Sequence, residues 1–215
     1  KHNSGEIEKD NLCLQALCNL AAQKEYQSRI VEEGGVRLIN KIWQAGSPVV
    51  QTMCSVALCR LANCPSTRKM MVDQRVTATI IDLCESGDEV IQLQCLLSLN
   101  RLAMDNDSRQ TMVREKAVPA LIRTMGLQHA IVPPLVASAL YHLSCGAESR
   151  KMMLEDDEAV VAAVIQLSGH ADTSTKQDCA LTMANWLMQE DEHDSLIDHG
   201  IIRALVTLSF SSTNS

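Results

Sequence analysis

Aromatic side chains are nearly absent: two Trp, two Tyr and one Phe make up 2% of 215 residues, in a chain that is 46% hydrophobic. A core short of aromatics is assembled from Leu, Ile, Val, Met, Ala and Cys, which suits close-packed helices better than a sheet. An excess of positive charge is missing too. Nineteen Lys and Arg stand against 26 Asp and Glu, for a net charge of −7, so no global basic field exists to hold nucleic acid or an anionic membrane. Runs of roughly 18 apolar residues are also lacking, and no segment reads as membrane-spanning.

Cysteine is the exception to this sparseness. Nine is an odd number, and most lie inside apolar helical pattern, which reads as reduced thiols in cytosol or nucleus rather than a secreted disulfide framework. The triplet Asn106-Asp107-Ser108 is then a chance match to a glycosylation site. In "MCSVALCRLANC", Cys54, Cys59 and Cys64 are five apart. On a helix that spacing turns side chains about 140° apart, so they do not converge on one ion. No CxxC spacing accompanies them, nor a His pair four residues apart, and nothing nominates a catalytic thiol. The reading calls for no metal and no cofactor.

The frame "ALCNLA" (16–21) recurs as "ALCRLA" (57–62), "SLNRLA" (98–103), "ALYHLS" (139–144) and "TMANWL" (182–187). Its key position is Asn19, Arg60, Arg101, His142 and Asn185, at spacings of 41, 41, 41 and 43, which marks a helical solenoid. Each unit divides in three. A short helix carries Ser or Thr before Arg at Arg68, Arg109 and Arg150, the hydroxyl being suited to cap a helix start. A turn follows, clearest at Gly34-Gly35, where permissive backbone is needed. A second helix comes next, as in "VRLINKIWQA" (36–45), and then a long third helix opened by Pro48 or by Pro133-Pro134. Cys13, Cys54, Cys95 and Cys179, with Val136 in the remaining copy, form one column expected to be buried between helices. The acidic runs Glu155 to Glu158 and Glu190 to Asp194 read as solvated turns.

Gly34-Gly35-Val36, Val50-Gln51, Ala57 to Ala62, Ile91-Gln92 and Ser98 to Ala103 together resemble the armadillo repeat. The resemblance implies an all-α, right-handed superhelical solenoid of three-helix repeats whose third helices line a concave groove. It implies a single array: a partial repeat at 1–22, repeats at about 23–64, 65–105, 106–146 and 147–189, and a partial repeat at 190–215. An opening third helix, at roughly 9–22, without its partners points to a piece of a longer protein, and a lipid anchor outside the chain stays open.

The resemblance also implies a non-enzymatic scaffold that binds an extended or helical segment of a protein partner in that groove. Asn19 and Asn185 would hold peptide backbone, as the key Asn does in armadillo proteins. Arg60 and Arg101 would take acidic or phosphorylated residues, and His142 would modulate binding with pH or pair a carboxylate. Met53, Val56, Gln94, Leu97 and Leu135 complete the expected surface. Arg60 and Arg101 could instead pair with acidic residues of adjacent repeats or lie solvated over helix stems. Armadillo proteins that sandwich Lys chains carry Trp four residues before the key Asn. Gln15, Val56, Leu97, Ser138 and Leu181 stand there, so that mode is not expected. A module beside a U-box ubiquitin ligase or in a myosin-directed chaperone, or a cytoskeletal, ciliary or membrane-tethered organiser, is the alternative reading.

Overall fold

The computed structural model describes residues 4–156 and 159–211. Its chain divides into two compact units, Lys1–Ser108 and Arg109–Ser215. The first unit contains α1 (Ser4–Ala21), α2 (Lys24–Glu32), α3 (Gly35–Ile42), α4 (Pro48–Ala62), α5 (Pro65–Asp73), α6 (Val76–Cys84) and α7 (Glu89–Ala103). Here α4 packs between α1 and α7, while α2 lies on α5 and α3 on α6, so like helices stack on like. The second unit contains α8 (Arg109–Arg114), α9 (Ala117–Thr124), α10 (Val132–Ser144), α11 (Ala147–Asp156), α12 (Ala159–Ser168), α13 (Thr173–Trp186), α14 (His193–Asp198) and α15 (Ile201–Ser211). It repeats the scheme, with α10 on α13, α8 on α11, α9 on α12 and α12 on α15. Among the described residues there is no strand, and no helix is long and apolar enough to cross a membrane.

Among the described residues, four turns between first and second helices are built the same way. Gly34 (φ 87°), Arg75 (61°), Lys116 (69°) and Gly200 (89°) all take the left-handed conformation just before a second helix. Glycine adopts it freely, whereas an L side chain there costs roughly 1–2 kcal/mol. Arg75→Gly is therefore expected to stabilise the first unit by about 0.5–1 kcal/mol, net of glycine's greater freedom in the unfolded chain. A rise in urea midpoint at unchanged slope checks this.

Proline and aspartate set the starts of the third helices. Pro48 opens α4, and Pro133 and Pro134 lie in the first turn of α10, where a missing N–H is harmless. Asp88 caps α7 by accepting from the Ile91 N–H, and Asp172 caps α13 by accepting from the Thr175 N–H. Several sequence expectations shift. α1 starts at Ser4, well before Lys9, and Trp43 falls in a 3-10 turn after α3 rather than in the second helix itself. Glu190 to Glu192 also coil into a 3-10 turn, and Asp194 enters α14. Of the other acidic run, residues 157 and 158 lie outside the described residues. Ser108 is buried and donates to the Asp105 carboxylate, so the 106–108 triplet serves as a turn.

Cys54, Cys95, Cys179 and Val136 are buried as the column requires. Cys13 is not. It is exposed, because no helix of the described chain covers that side of α1.

Candidate functional site

A helix ends with four backbone carbonyls that have no partner within it. At the end of α4 all four are met, and mostly by side chains. Arg101 Nη1 donates to the Cys59 carbonyl at 2.6 Å, the Asn63 N–H to that of Arg60 at 3.2 Å, Thr67 Oγ1 to that of Leu61 at 2.6 Å, and Arg68 Nε to that of Ala62 at 3.1 Å. The same chemistry closes α1, where Arg60 Nη1 reaches the Cys18 carbonyl at 2.7 Å and Gln27 Nε2 reaches that of Ala21 at 2.9 Å. In the second unit Ser149 Oγ and Arg150 Nη1 donate to the carbonyls of Leu143 and Ser144, ending α10. The His193 ring pairs through Nε2 with the Leu187 carbonyl at 2.9 Å, beyond α13.

Two expectations change as a result. The hydroxyls before Arg68 and Arg150 do not cap the helix they begin. They turn back six residues and tie off the preceding third helix. Arg60 and Arg101 are neither paired with carboxylates there nor simply solvated. Each spends one guanidinium donor on the negative end of the preceding third helix, where a cation is favoured. Both remain half-buried. Asn185 is shorter and uses a relay: its Nδ2 donates to Ser144 Oγ at 2.9 Å, which donates to the Tyr141 carbonyl at 2.8 Å. His142 is half-buried, its ring 5.1 Å from that of Tyr141. Asn19 is exposed on α1.

The apolar candidates are graded by depth. Met53, Val56, Gln94 and Leu97 are half-buried on the third helices of the first unit, as Leu135 is on α10. Sequence reasoning passed over the residues that stand out furthest. Val49 and Val90 are 69% and 55% exposed, and each lies eleven residues before a key Arg. That offset was the available signal. Leu12 on α1 is 62% exposed as well. It shares with Val49 a cleft of about 480 Å³ between α1 and α4, lined by Glu8, Asn11, Leu12, Gln15, Val49 and Met53. Its amide side chains can donate to and accept from peptide backbone, while its aliphatic wall takes side chains. In the second unit, on α13, burial and the neighbouring Asp172 push the Asp178 carboxyl upward.

The thiols diverge, as five-residue spacing requires. Cys54 lies close to Cys18 of α1, whereas Cys59 meets Arg101 of α7. Burial pushes Cys54 and Cys179 up to about 12, and the Ser66 hydroxyl holds Cys64 below the ordinary thiol value. An alkylating reagent near neutral pH is expected to modify exposed Cys13 and then Cys64, leaving Cys54 and Cys179 unlabelled until urea unfolds the chain. Mass spectrometry of the labelled peptides reads this directly. A thiol pKa raised on folding contributes stability below the unfolded value and loses it as pH climbs toward 12, so the fold weakens in alkali.

No family model matches the chain, and no curated protein matches it. Among solved structures, an engineered protein superposes with a TM-score of 0.79 at 21% identity, over 99% of this chain and 87% of that one. A designed armadillo repeat protein in complex with the peptide (KR)4 gives 0.77 at 16% identity, over 95% and 87%. A computationally designed armadillo repeat protein for modular peptide recognition gives 0.79 at 15% identity, over 95% and 86%. Likeness at these identities is a likeness of fold, and the chain has the all-α armadillo-repeat fold.

Proposed function

We propose that the chain is a non-enzymatic scaffold that holds a segment of a protein partner on its third-helix surfaces. The observation that carries this is the cleft where Leu12 and Val49 stand exposed beside the amides of Asn11 and Gln15, with Val90 exposed on α7 at the position equivalent to Val49. Exposed aliphatic side chains next to backbone-reading amides suit an extended peptide, which needs both anchoring area and main-chain partners. The free donors of Arg60 and Arg101 add a preference for carboxylate or phosphate, with Met53, Val56, Gln94 and Leu97 between them. Asn19 reads backbone in the first unit. In the second unit Asn185, His142 and Leu135 offer a weaker copy of the surface. Designed proteins of this fold include a complex with a basic peptide, (KR)4. The two arginines argue for an acidic one here.

Selection from a displayed random peptide library tests the reading. The expected binders are aliphatic and acidic, and Val49→Asp with Val90→Asp weakens them by about tenfold or more while helicity stays constant. Lysine-rich binders, or binding untouched by the double variant, would refute it. Arg→Glu changes are poor probes, since they also break the carbonyl ties at Cys18 and Cys59.

A further inference from the structure

The corner between a second helix and its third helix is closed in one unit and open in the other. In the first unit Gln92 lies in the opening turn of α7, and its Nε2 donates to the Cys84 carbonyl at 3.0 Å, tying off α6. The same two positions 41 residues later are Pro133, in the opening turn of α10, and Met125, just past the end of α9. The register around them is kept, since Ile91 and Val132, one residue earlier on the two third helices, are both buried. Proline has no side-chain donor, so Pro133 cannot make to the Met125 carbonyl the bond that Gln92 makes to that of Cys84.

Where the Gln92 amide has no counterpart, the second unit holds a cavity of about 310 Å³. Met125, Val132, Pro133 and Leu167 give it apolar walls, and Gln166 and His170 add polar groups. Val132 and Leu167 are buried while Gln166 is exposed, so the cavity runs from the surface to the core. His170 Nδ1 accepts from the Asp172 N–H at 3.2 Å. The neutral ring therefore carries its proton on Nε2, which leaves that nitrogen as a donor.

We propose that this cavity takes a primary carboxamide, carried on a glutamine side chain of a protein partner. The amide N–H donates to the Met125 carbonyl, as Gln92 does to Cys84 within the chain. The amide oxygen accepts from His170 Nε2, and the methylenes lie against Val132, Pro133 and Leu167. Charged side chains fit worse. A carboxylate has no hydrogen for the Met125 carbonyl and meets the negative end of α9, and an ammonium cannot accept from the ring. A glutamine from outside thus provides in the second unit what Gln92 provides in the first. The site shares no residue with the peptide surface proposed above, so the two stand or fall separately.

Nuclear magnetic resonance titration of the 215-residue chain tests this, with N-acetylglutamine methylamide as probe and its glutamate, lysine and norleucine analogues as controls. The Met125 methyl and the His170 ring are the reporters. The glutamine probe is expected to shift both saturably, and each control to bind at least about tenfold more weakly. Pro133→Gln should abolish the shifts, because the chain then fills the cavity with an amide of its own, and far-UV circular dichroism checks that helicity is kept. His170→Leu leaves the apolar walls intact and removes the donor, so binding read at Met125 should weaken by about tenfold. A glutamine probe that shifts neither reporter overturns the proposal. So do controls that bind as well as glutamine, or a folded Pro133→Gln variant that binds the probe undiminished.

Discussion

Trp186→Ala is expected to lower the stability of the second unit by about 3–5 kcal/mol, among the largest losses a single substitution can cause here. Trp186 is fully buried in a chain with almost no other ring large enough to fill its site. A close-packed helix layer collapses poorly into a hole of that size. Trp186→Phe separates volume from hydrogen bonding. The indole Nε1 is buried without a partner, so removing it breaks no bond, and the loss should fall under about 2 kcal/mol. Urea denaturation followed by circular dichroism measures both, and Trp43→Phe leaves Trp186 as a fluorescence reporter confined to the second unit.

Arg101→Ala should cost about 1–3 kcal/mol in the first unit, because it leaves the Cys59 carbonyl without its donor at the end of α4. Partial exposure of the side chain lets water make up part of this, so the lower half of the range is expected. A second variant tests the mechanism. In the second unit Asn185 reaches the carbonyl of Tyr141 through Ser144, and the residue standing where Ser144 stands is Ala62 at the end of α4. Arg101→Asn alone should behave nearly like Arg101→Ala, and adding Ala62→Ser should restore part of the loss. A double-mutant cycle reads the coupling, and simple additivity would rule out the relay.

The fold was legible because its signal is periodic. A frame recurring at 41 residues places every third helix, and the first and second helices then fall where short apolar stretches remain. The errors came where a local rule met a non-local partner. Thr67 and Ser149 follow the composition of a helix cap, yet the orphan groups within their reach are carbonyls six residues upstream. The ties of Arg60 and Arg101 to helix ends went unforeseen because their acceptors lie 42 residues away along the chain. That separation is one period plus one residue, so the pairing was implicit in the repeat but invisible in any single copy. Cys13 shows the reverse failure. Its column predicts burial, and burial needs a neighbour that the described chain does not supply. Val49 and Val90 were missed although their place eleven residues before a key Arg marks them, because valine by itself fits a ridge and a core position equally well.

The ties at the third-helix ends bear on how such a chain can change length. Arg60 and Arg101 are separated by 41 residues and meet equivalent carbonyls, those of Cys18 and Cys59. Excising residues 60–100 would join Cys59 to Arg101 and set Arg101 down where Arg60 had been, facing Cys18. Thr67 and Arg68 would leave with the excised piece, and Ser108 and Arg109 would move into their places. Removal or duplication of a full period thus hands each helix end a fresh closure of the same kind, whereas a cut that breaks the period leaves carbonyls open. The unit of heredity in this molecule is the interval between one knot and the next.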